Sequence, residues 1–238
     1  MNEIKNLSHT IVYEADFFMK KRWLYIGISQ LFASFVLLCL LQAVCLTRAS
    51  EVWLGKSLYF LVSQNEHIEV STHETRLNGG AGYLLDYEGK EYVVWAVYLN
   101  ETDGQTVQAG LVDKTELLQI NVDRLYFKGK EKKKKRTVYE GALNSLYGCL
   151  EVLSQGISRL DRGMTQEACR RILSTLSKQF SYMASAYKES YPHFSNVCAV
   201  IQAKLEELMG ETVYGKDLRY LLCDACTAYI RLTMQFAL

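Results

Sequence analysis

The chain opens with an apolar segment that separates a short basic tail from the rest of the sequence. Residues 23–47 carry no charged side chain, and Lys20-Lys21-Arg22 come directly before them. As a helix rising about 1.5 Å per residue, this segment spans roughly 36 Å, enough to cross a bilayer core with some tilt. A secretory signal peptide has an apolar region of only about 7–15 residues. The pattern therefore predicts a retained transmembrane helix, and the alternative is a buried helix of a soluble core.

Charges on either side of this segment predict its orientation. Four basic residues precede it, and only two follow it closely, Arg48 and Lys56. Lys and Arg concentrate on the cytoplasmic side of membrane proteins. We therefore predict that residues 1–22 form a cytoplasmic tail. The rest of the chain is expected outside the cell membrane, with the C-terminus extracytoplasmic.

Between residues 57 and 127 short apolar runs alternate with polar segments. Runs rich in β-branched and aromatic residues predict four strands, at 57–62, 81–87, 91–99 and 116–127. The polar segments between them predict two helices, of which the second has Asn100 or Thr102 as its N-cap. The first of these segments is polar, with Ile68, Val70 and Leu77 as its apolar residues, whereas Val107, Leu111 and Val112 are expected to give the second helix an apolar face. The order β-α-β-β-α-β predicts a small ferredoxin-like module over residues 57–127.

A basic run and a helical region follow the predicted module. KGKEKKKKR, residues 128–136, predicts a solvated linker, with anionic lipid headgroups or wall polymers as alternative partners. From residue 137 to 238, apolar residues recur every three or four positions, which is typical of amphipathic helices. Because the connections are short, we expect an antiparallel four-helix bundle. The fold class is thus α+β, with one transmembrane helix before it.

The net charge and the placement of the histidines, carboxylates and cysteines favour a binding function over catalysis. A net charge of +1 gives no sign of a nucleic-acid partner. The four histidines lie in separate polar segments, and we identify no carboxylate pair. Cys223 and Cys226 have a C-x-x-C spacing in mid-helix, which we interpret as core packing, with a metal or redox site as the alternative. We therefore predict no enzyme, no catalytic residue, no metal and no cofactor.

Three stretches of the module resemble the SPOR (sporulation-related repeat) domain. They are Tyr59-Phe60-Leu61-Val62-Ser63-Gln64, Gly79-Gly80-Ala81-Gly82-Tyr83 and Tyr92-Val93-Val94-Trp95-Ala96-Val97-Tyr98. The resemblance covers about 30% of the chain. The first strand is more apolar than in typical SPOR domains, and its glutamine comes late. Val93 and Trp95 also stand where SPOR domains often have polar residues.

The resemblance implies a setting in the bacterial envelope, such as that of a spore-forming Firmicute, in cell division or sporulation. SPOR domains bind peptidoglycan glycan strands on the open face of the sheet. The ligand contacts expected from this are Phe60, Gln64, Val93 and Trp95, with the indole stacking on a sugar and the amide hydrogen-bonding to it. An equal alternative is that Val93, Trp95 and Val97 face the two helices of the module.

Together these features predict a single-pass membrane protein that binds wall glycan and contacts an envelope protein through its helical bundle. The alternative is a membrane-anchored scaffold for protein–protein interaction that binds no glycan. The two hypotheses differ in whether aromatic and amide groups are presented on an open sheet face.

Topology is testable without knowing the ligand. Protease added to intact protoplasts should digest the chain after residue 48, because the charge asymmetry around residues 23–47 places that part outside. Immunoblotting of the C-terminal half measures the digestion. Protection of that half in unbroken cells would reverse the predicted orientation.

Overall fold

The computed structural model describes residues 50–63, 68–111, 114–127 and 133–234. Within these residues the chain is α+β, as predicted, with one four-stranded antiparallel sheet and six helices. The predicted transmembrane segment, residues 23–47, and Gln64 lie outside them. None of the helices in this described part is long and apolar enough to cross a membrane.

The sheet is built from strands β1 (Ser50–Ser63), β2 (Tyr83–Tyr87), β3 (Lys90–Tyr98) and β4 (Thr115–Phe127). Their order in the sheet is β2-β3-β1-β4, and all neighbours are antiparallel. β1 begins earlier than the sequence predicts, and its first residue pairs with the last residue of β4. β2 and β3 form a hairpin whose turn residues Glu88 and Gly89 both have positive φ, as tight hairpin turns require.

Two short helices connect the strands, α1 (Ile68–Leu77) between β1 and β2 and α2 (Glu101–Gly110) between β3 and β4. Asn100 is the N-cap of α2, because its side-chain oxygen accepts a hydrogen bond from the Asp103 backbone N–H at 2.8 Å. One of the two predicted N-cap residues is therefore confirmed. The carboxylates of Glu101 and Asp103 lie in the first turn, where they interact favourably with the helix dipole.

The apolar residues that the sequence singles out in and beside α1 and α2 are exposed or half-buried, and Val112 lies outside the described residues. Leu77 is 71% exposed, and Val70 and Val107 are exposed as well. The buried positions are instead small, Ser71 and Thr75 in α1 and Gly104 in α2. A Cβ at Gly104 would lie 2.9 Å from Leu117, so the helix approaches β4 as closely as its backbone allows.

Four longer helices follow, α3 (Lys133–Asp161), α4 (Gln166–Ala186), α5 (Pro192–Met209) and α6 (Gly215–Met234). α3 begins inside the predicted linker, at Lys133 rather than after residue 136. Thr165 caps α4, and Pro192 begins α5, where its missing N–H costs no hydrogen bond. Most of the predicted apolar positions of these helices are buried, whereas a few are half-buried. The buried ones include Leu143, Leu146, Leu150, Leu173, Leu176, Phe180, Ile201, Leu205, Leu218 and Leu222.

Helix α6 lies between the sheet and the other helices. It packs against β2, β3 and β4 on one side and against α3 and α5 on the other. Its buried side chains therefore surround the helix instead of forming one stripe. They are Leu218, Leu221, Leu222, Cys223, Ala225, Cys226, Thr227, Tyr229, Ile230, Leu232 and Thr233. The sheet and the longer helices share one hydrophobic core in one compact unit.

Helices cover both faces of the sheet. On one face Tyr83 of β2 contacts Tyr220 of α6, with ring centroids 5.2 Å apart. On the other face Leu117 of β4 meets Gly104 of α2. Because both faces are covered, the central strands carry almost continuous apolar runs instead of alternating ones.

Removing side-chain volume from α6 should destabilise the whole unit. Leu218→Ala, at a position with no exposed surface, is expected to lower the free energy of unfolding by about 2–5 kcal/mol because it leaves a cavity in the shared core. Val200→Ala in α5 is the matched control, since Val200 is 53% exposed. Urea unfolding followed by circular dichroism measures both. Equal effects of the two substitutions would contradict the central position of α6.

Candidate functional site

Trp95 occupies a β-bulge in β3. Leu61 of β1 pairs with Ala96, whereas the next residue, Val62, pairs with Val94. Trp95 is therefore the extra residue that the ladder between β1 and β3 passes over. Bulges bend a strand and redirect a side chain, and they are frequent beside functional sites.

The bulge changes which predicted contact residues share a face. Phe60 pairs with Val97, and Val93 pairs with Ser63, so Phe60 and Val93 lie on opposite faces of the sheet. Phe60 belongs to the core formed with the long helices, and Val93 is buried as well. Both faces at these positions are covered. A glycan contact by Phe60, Val93 or Gln64 stays a prediction.

The indole of Trp95 is enclosed by α1 and the segment that follows it. A Cβ on Gly80 would lie 2.9 Å from Trp95 Cε3 and 2.6 Å from the Thr75 side chain, so only glycine fits there. Trp95 is 7% exposed, and its Nε1 has no hydrogen-bond partner among the described residues. An enclosed donor without an acceptor costs about 1–3 kcal/mol. Such a small exposed fraction leaves no free ring face on which a sugar could stack.

A cavity of about 410 Å³ adjoins Trp95. Its walls come from α2, the end of β3, the end of α3 and the first turns of α6. Val107 and Ile157 contribute apolar surface, and Tyr98, Asp161, Arg162 and Arg219 contribute polar groups. A volume of this order is typical of sites for small molecules, which combine apolar walls with a few polar groups.

Arg219 holds two walls of the cavity together. Its Nη2 forms an ion pair with Asp161 Oδ2 at 2.6 Å, and its Nη1 donates to the backbone oxygen of Gly79 at 3.0 Å. Asp217, two residues before Arg219 in α6, pairs with Arg76 of α1 at 2.9 Å. These pairs are partly exposed, so each contributes at most about 1 kcal/mol. Their main effect is to position α6 relative to α3 and to the segment after α1.

The phenol of Tyr98 supplies a neutral hydroxyl at the cavity. Burial raises the pKa of Tyr98 to about 12, while the nearby Arg219 guanidinium lowers that pKa by a smaller amount. At neutral pH the group is therefore protonated. It can donate or accept a hydrogen bond but does not act as a base.

The cysteines of the described residues are buried free thiols. Burial raises the pKa of Cys149 to about 11 and that of Cys198 to about 12, and it also raises the pKa values of Cys223 and Cys226. Thiols with raised pKa values are poor nucleophiles. Within the described part of the chain, no three His, Cys, Asp or Glu side chains are grouped so that they could hold a metal ion.

Sequence reasoning identified Trp95 but missed Tyr98, Asp161 and Arg219. Arg219 and Gly79 lie 140 positions apart, so no local pattern connects them. One signal was available in the Gly79-Gly80 pair, which follows the predicted helix and which the resemblance to SPOR domains also includes. The Gly80 N–H donates to the Thr75 oxygen at 2.8 Å just after α1, and the absence of a side chain at Gly80 makes room for the indole of Trp95.

Comparisons of the chain with protein-family models, with curated proteins and with solved structures find no match. The interpretation of the site therefore depends on its own geometry.

The raised thiol pKa values predict a loss of stability at alkaline pH. Thiols of the unfolded chain titrate near about 8.5, whereas Cys149 and Cys198 stay protonated up to about 11 and 12 in the folded state. As the pH rises through this window, the unfolded state loses protons first, so the free energy of unfolding falls. Below about pH 8 this contribution is fully present.

Urea unfolding at several pH values between 7 and 11 measures this loss. A Cys149→Ala, Cys198→Ala double variant should be less stable at neutral pH because it loses core volume. Its stability should nevertheless fall less steeply with pH than that of the unchanged chain. An unchanged slope would show that these two thiols do not contribute.

Proposed function

We propose that this chain is a single-pass membrane protein whose folded unit binds a ligand and carries out no catalysis. The observation that carries the proposal is the cavity beside Trp95, where an enclosed N–H lacks an acceptor next to a space of small-molecule size. A catalytic role has less support, because Tyr98 is neutral and the thiols are buried. The apolar segment at 23–47 supplies the proposed anchor.

The fold type proposed for residues 50–127 is ferredoxin-like. Support comes from the element order β-α-β-β-α-β and from the strand order β2-β3-β1-β4, in which each helix connects two strands separated by a third. The four longer helices are proposed to form the antiparallel bundle expected from their short connections.

The ligand proposed from the SPOR resemblance is a sugar residue of peptidoglycan glycan. The arrangement supports recognition by hydrogen bonds within the cavity and not by stacking on an open sheet. Phenol and guanidinium groups at the walls match the oxygen atoms of sugar hydroxyl and acetamido groups, and the indole N–H matches them once a ligand displaces the side chains that cover it. A cavity of this size accepts one or two sugar residues, so the glycan would enter by an end or a protruding residue. The proposed setting is the bacterial envelope, in cell division or sporulation.

A second candidate is a membrane-anchored scaffold that binds another envelope protein and no glycan. The observation that favours it is the burial of β1 and β3 on both faces, which leaves no open sheet for a glycan strand. Exposed apolar side chains on the helices, Val152 and Tyr182 among them, adjoin a shallow groove between α3 and α4. Such a groove suits contact with a protein.

Trp95→Phe separates the two candidates. Phenylalanine keeps most of the ring but lacks the N–H, so the variant should fold with a stability close to that of the unchanged protein. Trp95→Ala is less useful, since removal of an enclosed indole costs about 3–5 kcal/mol. If the N–H donates to the glycan, Trp95→Phe should lower binding about tenfold, as expected for one lost hydrogen bond.

Pull-down of the full-length chain with intact and amidase-treated peptidoglycan measures this binding. Trp53→Phe is the matched control, because Trp53 is exposed and lies outside the cavity. Binding that both variants retain would remove Trp95 from the site. Absence of binding by the unchanged chain would favour the scaffold.

A further inference from the structure

At the Trp95 cavity the charged hydrogen-bond acceptors already have partners within the protein, whereas some of the donors do not. Both carboxylates at its wall already have partners within the described residues. Asp161 accepts from Arg219 at 2.6 Å, and Asp103 accepts from the Asn100 side chain at 2.6 Å. The acceptor groups with the strongest charge are thus satisfied before any ligand enters.

The donors at the same cavity are not all used by acceptors of the protein. Trp95 Nε1 has no acceptor among the described residues. Arg162 follows the last residue of α3 and lines the cavity as an exposed side chain. Its guanidinium forms no ion pair or side-chain hydrogen bond within the described part of the chain, so it is open to solvent and to a ligand. Arg219 has five N–H groups, and its hydrogen bonds to Asp161 and Gly79 engage only some of them.

This imbalance points to one chemical class of ligand. We infer that the group held in the Trp95 cavity is a carboxylate attached to an uncharged, partly apolar body. The inference rests on the proposed function, since it requires that the cavity is a binding site. Two guanidinium groups form charge-assisted hydrogen bonds to a carboxylate, and such bonds are roughly twice as strong as neutral ones. The apolar side chains Val107, Ile157 and Leu222 then contact the rest of the ligand.

A cationic ligand fits this wall less well than an anionic one, and a strictly neutral ligand makes weaker hydrogen bonds to it. A cation would need a free carboxylate, and using Asp161 would break the pair that positions α6. A neutral amide accepts hydrogen bonds from the same donors but gains no ionic interaction with Arg162. Trp95 Nε1 is enclosed, so a ligand oxygen reaches it by displacing the side chains that cover it.

Trp95 itself can report binding. The chain has three tryptophans, so Trp23→Phe and Trp53→Phe leave Trp95 as the only indole in the full-length protein. Its fluorescence is followed in detergent during titration with 3-phenylpropionate and with 3-phenylpropionamide, which has the same shape without the charge. The carboxylate should bind at least about tenfold more tightly than the amide, the difference expected for a charge-assisted hydrogen bond.

Arg162→Gln should weaken phenylpropionate binding about tenfold and leave binding of the amide unchanged, because it removes only the charge at the rim. Arg159→Gln is the matched control, since it makes the same change of charge on an exposed helix position outside the cavity. Added salt should weaken the carboxylate complex, as screening requires.

The outcomes separate this inference from the proposed function. Equal binding of the amide and the carboxylate, or equal effects of Arg162→Gln and Arg159→Gln, would overturn the carboxylate class while the cavity remained a binding site. If neither probe changes Trp95 fluorescence at millimolar concentration, the carboxylate inference fails, and the pull-down then decides the proposed function separately. Competition between phenylpropionate and soluble peptidoglycan fragments shows whether the wall polymer or a free small molecule supplies the carboxylate.

Discussion

Burial of helix α6 between the sheet and the other helices is the constraint on which the rest of the structure depends. The helix exposes little of its apolar surface, because strands β2, β3 and β4 cover one side and α3 and α5 cover the other. It therefore removes one face of the sheet from solvent and gives the sheet and the helices a common core. The same helix also brings Arg219 to Asp161 and to Gly79, so its position fixes one wall of the cavity.

Small residues determine how closely the two short helices approach the opposite face. Gly104 lets α2 approach β4, and Gly80 with Thr75 lets the segment after α1 enclose Trp95. Large apolar residues at these positions would hold the helices away from the sheet. The contact is then made by backbone and small side chains, while Leu77 and Val70 remain exposed. This is why the polar appearance of α1 and α2 is compatible with a covered sheet.

The features that the sequence predicted depend on residues close together along the chain, whereas the features that it missed depend on residues far apart. The strands and the apolar positions of α3 to α6 follow from local periodicity. The Asn100 cap follows from a hydrogen bond between residues only three positions apart. The bulge at Trp95 has no local signature, because it depends on the register of β3 against β1. Alternation along β3 alone placed Val93 and Trp95 on one face. The Arg219 pairs join segments that are distant in sequence, so no spacing rule reveals them.

The position of the cavity at the boundary between two layers has a physical consequence for binding. Trp95 and Tyr98 belong to the sheet, whereas Asp161 and Arg219 belong to the long helices. The polar contacts that join α6 to α1 and the segment after it, the Arg76–Asp217 ion pair and the Arg219–Gly79 hydrogen bond, are only partly buried and individually weak. The proposed ligand would contact both layers at once, so the folded arrangement of both would be required for binding. Such a ligand would stabilise the folded unit by an amount that grows with the logarithm of the ratio of its concentration to the dissociation constant.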